Sequence, residues 1–416
     1  MSVSEANAAV PAAPTTAAVQ PPPAALASVV RPGPRRTGHV PELDGLRALA
    51  VMLVFLDHFA PTATLPHVRI LHQIGWIGVD VFFVLSGLLI TGILLDARAH
   101  AHFYRTFYVR RALRIFPLYY ALLIVVVAVM LARQGSAPYQ EMLETWGSPG
   151  WFFAYLGNIK TAISGAEPPA AFVPMWSLHV EEQFYLLFPL LIHRLRQLTL
   201  RRLLVAVIIA APAIRFGLWL LAPERPLIEY MLLPCRMDGL AFGALIALRL
   251  RTPRPWPLGK ADLAIVATIL SLAACALFVA AGRAFDSELQ RTLGYSFFSA
   301  AAAAWIFWIM LYRGSRWTSW LNVRPLQYLG KISYGLYLLQ MPAAVLLLWL
   351  LSPLHLRPDW LRTAGGWLAL AIFCLGLASA SWYLLERPLL RLKDKLAPAA
   401  AKRPRTLTPV GGACTR

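Results

Sequence analysis

Dry, apolar stretches close to the length of a bilayer span recur from residue 43 to residue 386. A helix that crosses the hydrocarbon core needs about 20 such residues. One stretch could be the buried helix of a soluble domain, but a long consecutive series cannot. Composition agrees: 58% of residues are hydrophobic and 14% are charged, against about a quarter charged in soluble domains. The expected fold class is all-α, a polytopic membrane helix bundle of about ten transmembrane helices.

The predicted helix cores are 43–62, 75–95, 115–132, 176–193, 203–221, 231–248, 262–281, 293–312, 333–351 and 366–386. Residues 1–38 are rich in Ala and Pro without an apolar signal core, and read as a disordered tail. Residues 39–395 form the expected transmembrane domain, and 396–416 a basic flexible tail. The longest loop, 133–175, is too short for a further folded domain. The stretch WFFAYLGNI, 151–159, is too short to span and is expected at the membrane interface.

Ten spans place both termini on one side. Of the 39 Lys and Arg residues, 28 fall on the segments this topology assigns to the cytoplasm and 8 on the opposite side. Arg47, Arg215 and Arg236 lie within spans. This asymmetry is the positive-inside pattern, so both termini are expected in the cytoplasm and the protein in the inner membrane. The formal charge of +19 is spread between spans and forms no single patch, so nucleic acid is not an expected partner; membrane lipid is. Cys235, Cys275, Cys374 and Cys414 have neither metal-ligand nor redox spacing. No disulfide, metal site or tightly bound cofactor is expected.

Ionisable groups inside a bilayer are costly and are therefore functional candidates. Arg47 and His58 stand eleven residues apart in the first span. At 100° per residue they share a face, separated by about 16 Å along the axis. Singly, the arginine could be a snorkelling anchor and the histidine a satisfied buried one. In WSLHVEEQFYLLFPLL, Ser177, Glu181 and Tyr185 follow at intervals of four and share a face. Counting turns from the outer surface puts Glu181, His58 and Asp80 of the second span in one layer. A carboxylate beside a histidine raises its basicity and fixes its tautomer, which suits a general base acting on a hydroxyl. The competing reading is three independent polar anchors at the interface. In FYVRRALRIFPLYY, Arg110 and Arg114 share a face with Arg111 adjacent. Guanidinium forks suit phosphate oxygens, although an ordinary cytoplasmic anchor has the same charge.

Walker, GxSxG, HExxH and dinucleotide motifs are absent. The spacing His39 to Asp44 matches an HxxxxD acyl-transfer motif, but without the accompanying blocks it reads as chance.

Across roughly residues 40–395 the sequence resembles the acyltransferase-3 family of bacterial membrane O-acyltransferases. ELDGLRALAVMLVFLDHF is similar to the family's opening block, with Arg47 and His58 in its Arg-x10-His motif. GVDVFFVLSGLLIT, FYVRRALRIFPLYY and WSLHVEEQFYLLFPLL follow in the family's order, then GKISYGLYLLQMP and ERPLLRL. The resemblance implies transfer of an acyl group, acetyl by default, from cytoplasmic acyl-CoA to a hydroxyl of an extracytoplasmic carbohydrate. It implies His58 as the catalytic histidine, Arg47 as its essential partner, and a functional carboxylate at Glu181 in preference to Glu182. Arg110, Arg111 and Arg114 are the expected acyl-CoA contacts, and Trp176, Ser177 and Tyr185 the expected acceptor contacts. Gln340 stands where many members have His, so no proton-transfer role is carried there, and Asp57 stands where an aromatic or small residue commonly precedes the histidine. The extracellular SGNH domain of longer relatives has no counterpart, so the stand-alone form is expected.

On this reading His58 deprotonates the acceptor while Glu181 or Asp80 orients its ring; an acyl-histidine course is equally compatible. The rival from another class is a transporter or flippase of a glycan precursor, which would show inverted repeats and broken helices. No such repeat is visible.

Overall fold

The computed structural model describes residues 39–133, 140, 147–252, 257–283, 287–355 and 357–397. The expected tail 1–38, and the C-terminal tail from residue 398, lie outside these residues. Among the described residues ten long helices follow one another: α1 Pro41–Phe59, α2 Ile77–Ala97, α3 Phe103–Ala132, α4 Met175–Arg194, α5 Gln197–Leu221, α6 Leu233–Leu250, α7 Lys260–Ala280, α8 Tyr295–Leu311, α9 Ser333–Leu350 and α10 Ala364–Ser381. Each coincides with one predicted span. The chain is an all-α, multi-pass membrane protein.

Eight of the helices are long and apolar enough to cross a membrane by length and composition. The other two, α1 and α4, fall short because they carry charge: Glu42, Asp44, Arg47 and Asp57 on one, Glu181, Glu182 and Arg194 on the other. These two bring most of the polar groups considered below.

Helices α2 and α6 make the centre, each with 67% of its apolar window buried. They cross at glycines. A Cβ on Gly87 would collide with the carbonyl of Leu240, and one on Gly243 with that of Val84. Small residues let two backbones approach where lipid supplies no hydrophobic drive. Helices α5, α7 and α10 lie outermost and turn apolar side chains such as Ile209, Leu272 and Ile372 outward.

Alternate helices end at one level. Arg98, just past α2, donates to the carbonyls of His193 and Leu195 at the end of α4, at 3.1 and 2.8 Å. Arg251, just past α6, pairs with Asp96 at 2.8 Å. The start of α3 is on this level too, where Arg110 donates to the carbonyl of Ala397 at 2.9 Å. That carbonyl follows a short helix, Arg387–Leu396.

Two local departures from the predicted spans shape the site. Helix α3 begins at Phe103, well before residue 115, so Arg110, Arg111 and Arg114 sit on the same continuous helix as the span. The stretch 151–159, too short to span, runs through a short helix Gly150–Phe153, a turn and the start of a second helix Gly157–Ser164, which fold over the start of α4. Phe152 stacks on Phe172 with centroids 4.4 Å apart. His179 anchors this cap. Its Nδ1 accepts from the Asn158 N–H at 3.2 Å, and its Nε2 lies 2.8 Å from the Tyr119 hydroxyl, which donates to the Phe152 carbonyl at 2.6 Å. The Tyr119 proton is thus engaged, so His179 donates from Nε2. Met175, Trp176 and Ser177 are buried beneath this cap.

Candidate active site

The first two turns of α1 and the middle of α3 face each other across a cavity of about 310 Å³. Arg47 comes from α1, and Arg111 and Arg114 from α3; their spacing of three puts the last two on one face. Asp44, Ser86, Ser177, Glu181, Ser333, Tyr334 and Tyr337 also line it. The cavity reaches His39, whose side chain is 71% exposed, so it is open at that end.

The charges inside are organised. Asp44 holds Arg47 at 3.1 Å with one carboxylate oxygen and His39 at 2.7 Å with the other. The HxxxxD spacing therefore corresponds to a contact at the cavity mouth. Glu181 accepts from Ser86 at 2.5 Å and from Tyr185 at 3.0 Å. The Arg111 guanidinium lies 4.0 Å over the Tyr185 ring and 3.9 Å from each of Glu181 and Glu182. Its Nε is enclosed and has no hydrogen-bond partner among the described residues. Three guanidinium groups against two lining carboxylates leave the cavity net positive, a setting that favours a polyanion.

His58 sits at the other end of α1 in a separate, much smaller cavity of about 20 Å³. Val54, Asp57, Trp76, Val79, Val173, Pro174, Trp176, Tyr230 and Tyr337 complete its lining. Asp57 is engaged: its Oδ1 accepts from the Trp76 N–H at 3.1 Å, and its carbonyl accepts from His72. The polar side chains acting on the His58 ring are Gln340 and His72. Gln340 is fully buried on α9, and its amide N–H donates to the Tyr337 carbonyl at 3.1 Å. Its Oε1 and the Nδ1 of His58 are both enclosed and without a hydrogen-bond partner among the described residues.

Three expectations about this site need correction. Asp80 does not meet His58: it pairs with Arg236 of α6 at 2.7 Å and accepts from Ser299 at 3.2 Å. Glu181 does not meet His58 either, because it faces the arginine-lined cavity. The start of α4 is buried beneath the cap, so a turn count that begins at the membrane surface does not apply to Glu181. Arg110 is absent from the cavity lining; α3 turns Arg111 and Arg114 inward and leaves Arg110 against Ala397. Of the expected acceptor contacts, Trp176 lines the His58 cavity, Ser177 the arginine cavity, and Tyr185 supports Arg111 and Glu181.

Sequence reasoning missed Gln340, Tyr337 and His39 as members of this region. The first was visible as a departure from the family pattern at a histidine position. Nothing in the spacing of residues marks Tyr337, which becomes visible only once both cavities are mapped.

Comparison with known proteins fits this arrangement. A family model described as Acyltransferase domain, that of the acyltransferase-3 family, matches residues 40–386. The putative peptidoglycan O-acetyltransferase YrhL of Bacillus subtilis is 29% identical over 326 residues, covering 74% of this chain and 49% of that protein. Peptidoglycan O-acetyltransferase OatA of Listeria monocytogenes is 29% identical over 331 residues, covering 74% and 50%. O-acetyltransferase OatA of Staphylococcus aureus is 28% identical over 330 residues, covering 74% and 51%. The matched region thus spans about half the length of these relatives. No solved structure matches the chain. The family match extends over most of the sequence, from the start of α1 through α10, and the chain belongs to the acyltransferase-3 family of membrane acyltransferases.

Proposed function

We propose that the protein is an O-acyltransferase that moves an acetyl group from acetyl-CoA in the cytoplasm to a carbohydrate hydroxyl on the far side of the inner membrane. The observation that carries this reading is the pairing of two cavities along α1. One is open and lined by three arginines; the other is small and holds His58. The CoA phosphates bind Arg47, Arg111 and Arg114, and the pantetheine arm runs along α1 toward His58. These three arginines, one on α1 and two on α3, supply charge-assisted hydrogen bonds, which are about twice as strong as neutral ones.

At the small cavity His58 takes the proton of the acceptor hydroxyl. The oxygen attacks the thioester carbon, the C–S bond breaks, and the CoA thiolate leaves and is protonated. Gln340, in place of Glu181 or Asp80, orients the ring: its Oε1 closes on the Nδ1–H of His58 when the substrates bind, both being without a partner among the described residues, and leaves Nε2 as the base. Two of the relatives named above, those of Bacillus subtilis and Listeria monocytogenes, are named for peptidoglycan, which makes a peptidoglycan glycan the first acceptor to try. Acetyl-CoA is a substrate here, and the reading requires no tightly bound cofactor.

The transporter reading is separated by one assay. Purified protein in liposomes receives labelled acetyl-CoA with and without peptidoglycan fragments. Acceptor-dependent release of CoA with label in the glycan is expected. Glycan movement across the bilayer without acetyl-CoA consumption would overturn the proposal.

A further inference from the structure

The two cavities share a wall. Tyr337 and Val79 line both, and the other lining residues of the small cavity are distinct from those of the large one. Val79 cannot withdraw, because it is part of α2 and its short branched side chain, 4% exposed, is packed in the cluster of Val54, Phe83 and Trp176. Tyr337 is only partly buried, and packs against the apolar cluster of Val54, Phe83 and Trp176. Its hydroxyl meets the Ser177 hydroxyl at 2.6 Å, and its ring lies edge-on to Phe82 with centroids 5.8 Å apart. Ser177 also reaches the Pro174 carbonyl at 3.5 Å. A carbonyl only accepts, so Ser177 donates there and Tyr337 donates to Ser177.

We infer that Tyr337 is the gate between the arginine-lined cavity and the His58 cavity, latched by its hydrogen bond to Ser177. The closed gate keeps water in the open cavity away from His58, and a thioester arriving along α1 displaces it. Opening breaks one neutral hydrogen bond, the ring contact with Phe82 and part of the packing against the cluster of Val54, Phe83 and Trp176, a change that an entering acyl chain, which replaces the apolar contacts, can drive. The large cavity carries the charged groups Asp44, Arg47, Arg111, Arg114 and Glu181 among aliphatic side chains, whereas around His58 and Asp57 the small one is lined by aromatic and aliphatic residues, so the gate separates a charged, open chamber from a drier one. The gate residue is also a neighbour of the reacting centre along α9, since Gln340 donates to the backbone carbonyl of Tyr337. This inference rests on the two-chamber reading above, but its test does not need turnover.

The test places a thiol at the far chamber. The four native cysteines are replaced by alanine, and His58→Cys is introduced into the full chain in liposomes. The anionic reagent sulfonatoethyl methanethiosulfonate, which the arginine-lined cavity attracts, is added separately to each face. Tyr337→Phe removes the latch but keeps the ring, and Ser177→Ala removes it from the other side. Each is expected to raise labelling from the arginine-cavity face roughly fivefold, the shift that loss of one neutral hydrogen bond produces. Tyr337→Ala should raise it at least about tenfold, with labelling from the other face unchanged in all three. Unchanged rates in the latch variants and in Tyr337→Ala would overturn the gate, as would equal increases from both faces. Acetyl transfer by the native chain is measured in parallel. If that fails while labelling responds, the acyltransferase reading falls and the gate stands.

Discussion

Arg236 and Asp80 form an ion pair at 2.7 Å in the centre of the bundle, each side chain 1% exposed. The Arg236 guanidinium also lies 4.3 Å over the Tyr295 ring and 5.4 Å over Tyr230. Tyr230 packs on Trp176 with centroids 4.6 Å apart, and both line the His58 cavity. The pair therefore supports one wall of that cavity without touching His58. Removing one member leaves the other charge buried and alone, which costs about 3–5 kcal/mol. Asp80→Ala and Arg236→Met should each lower the thermal unfolding midpoint in detergent, and the double variant should lose less than the two losses added. Strict additivity in that cycle would show that the ion pair is not what couples them.

The arginines of the open cavity should control donor affinity. Arg111→Gln and Arg114→Gln are each expected to raise KM for acetyl-CoA by about tenfold or more, the scale of one charge-assisted hydrogen bond. Arg110→Gln should leave KM within about twofold, because its guanidinium is turned out of the cavity and is engaged by the Ala397 carbonyl. Initial rates over a range of acetyl-CoA concentrations check both statements. A larger effect at Arg110 than at Arg111 would place the phosphates on the other face of α3.

Gln340 should act through His58. Gln340→Leu keeps the volume and removes the acceptor for Nδ1–H, so kcat is expected to fall by about tenfold with KM for acetyl-CoA unchanged, within the range that correct placement of a general base contributes. Gln340→Asn, with a shorter amide, should recover part of the rate if packing allows the contact. A change in KM with kcat unchanged would assign Gln340 to donor binding.

The cap over α4 depends on His179. Replacing it by Leu leaves the Tyr119 hydroxyl and the Asn158 N–H buried with one partner fewer, at about 1–3 kcal/mol each. Lower thermal stability is expected, together with faster proteolysis in the segment 150–172. Unaltered stability would mean that the aromatic stack of Phe152 on Phe172 holds the cap alone.

Much of this architecture is legible in the residues. Ten apolar stretches become ten helices, because lipid leaves a chain of this composition little else to form. The positions of Arg47 and His58 at opposite ends of one face of α1 also follow from spacing alone. Other relationships are not local. Periodicity puts Arg110 and Arg114 on one face with Arg111 adjacent, but packing against α1 and α4 turns Arg111 and Arg114 inward and leaves Arg110 outside the cavity. Depth counted from the end of a span fails for Glu181, because the cap hides where α4 begins. Asp80 finds Arg236 through the close crossing of α2 and α6 at Gly87 and Gly243, which no hydropathy pattern encodes.

The account's central claim is that His58 is the base of an acetyl transfer. The most direct measurement compares the native chain with His58→Ala, both in liposomes, for incorporation of label from acetyl-CoA into peptidoglycan fragments, alongside thermal unfolding of the same preparations. A base contributes about 10²–10⁴-fold to such a step. The account predicts a loss of that order with the unfolding midpoint preserved. A folded His58→Ala protein that transfers acetyl at the native rate would contradict it.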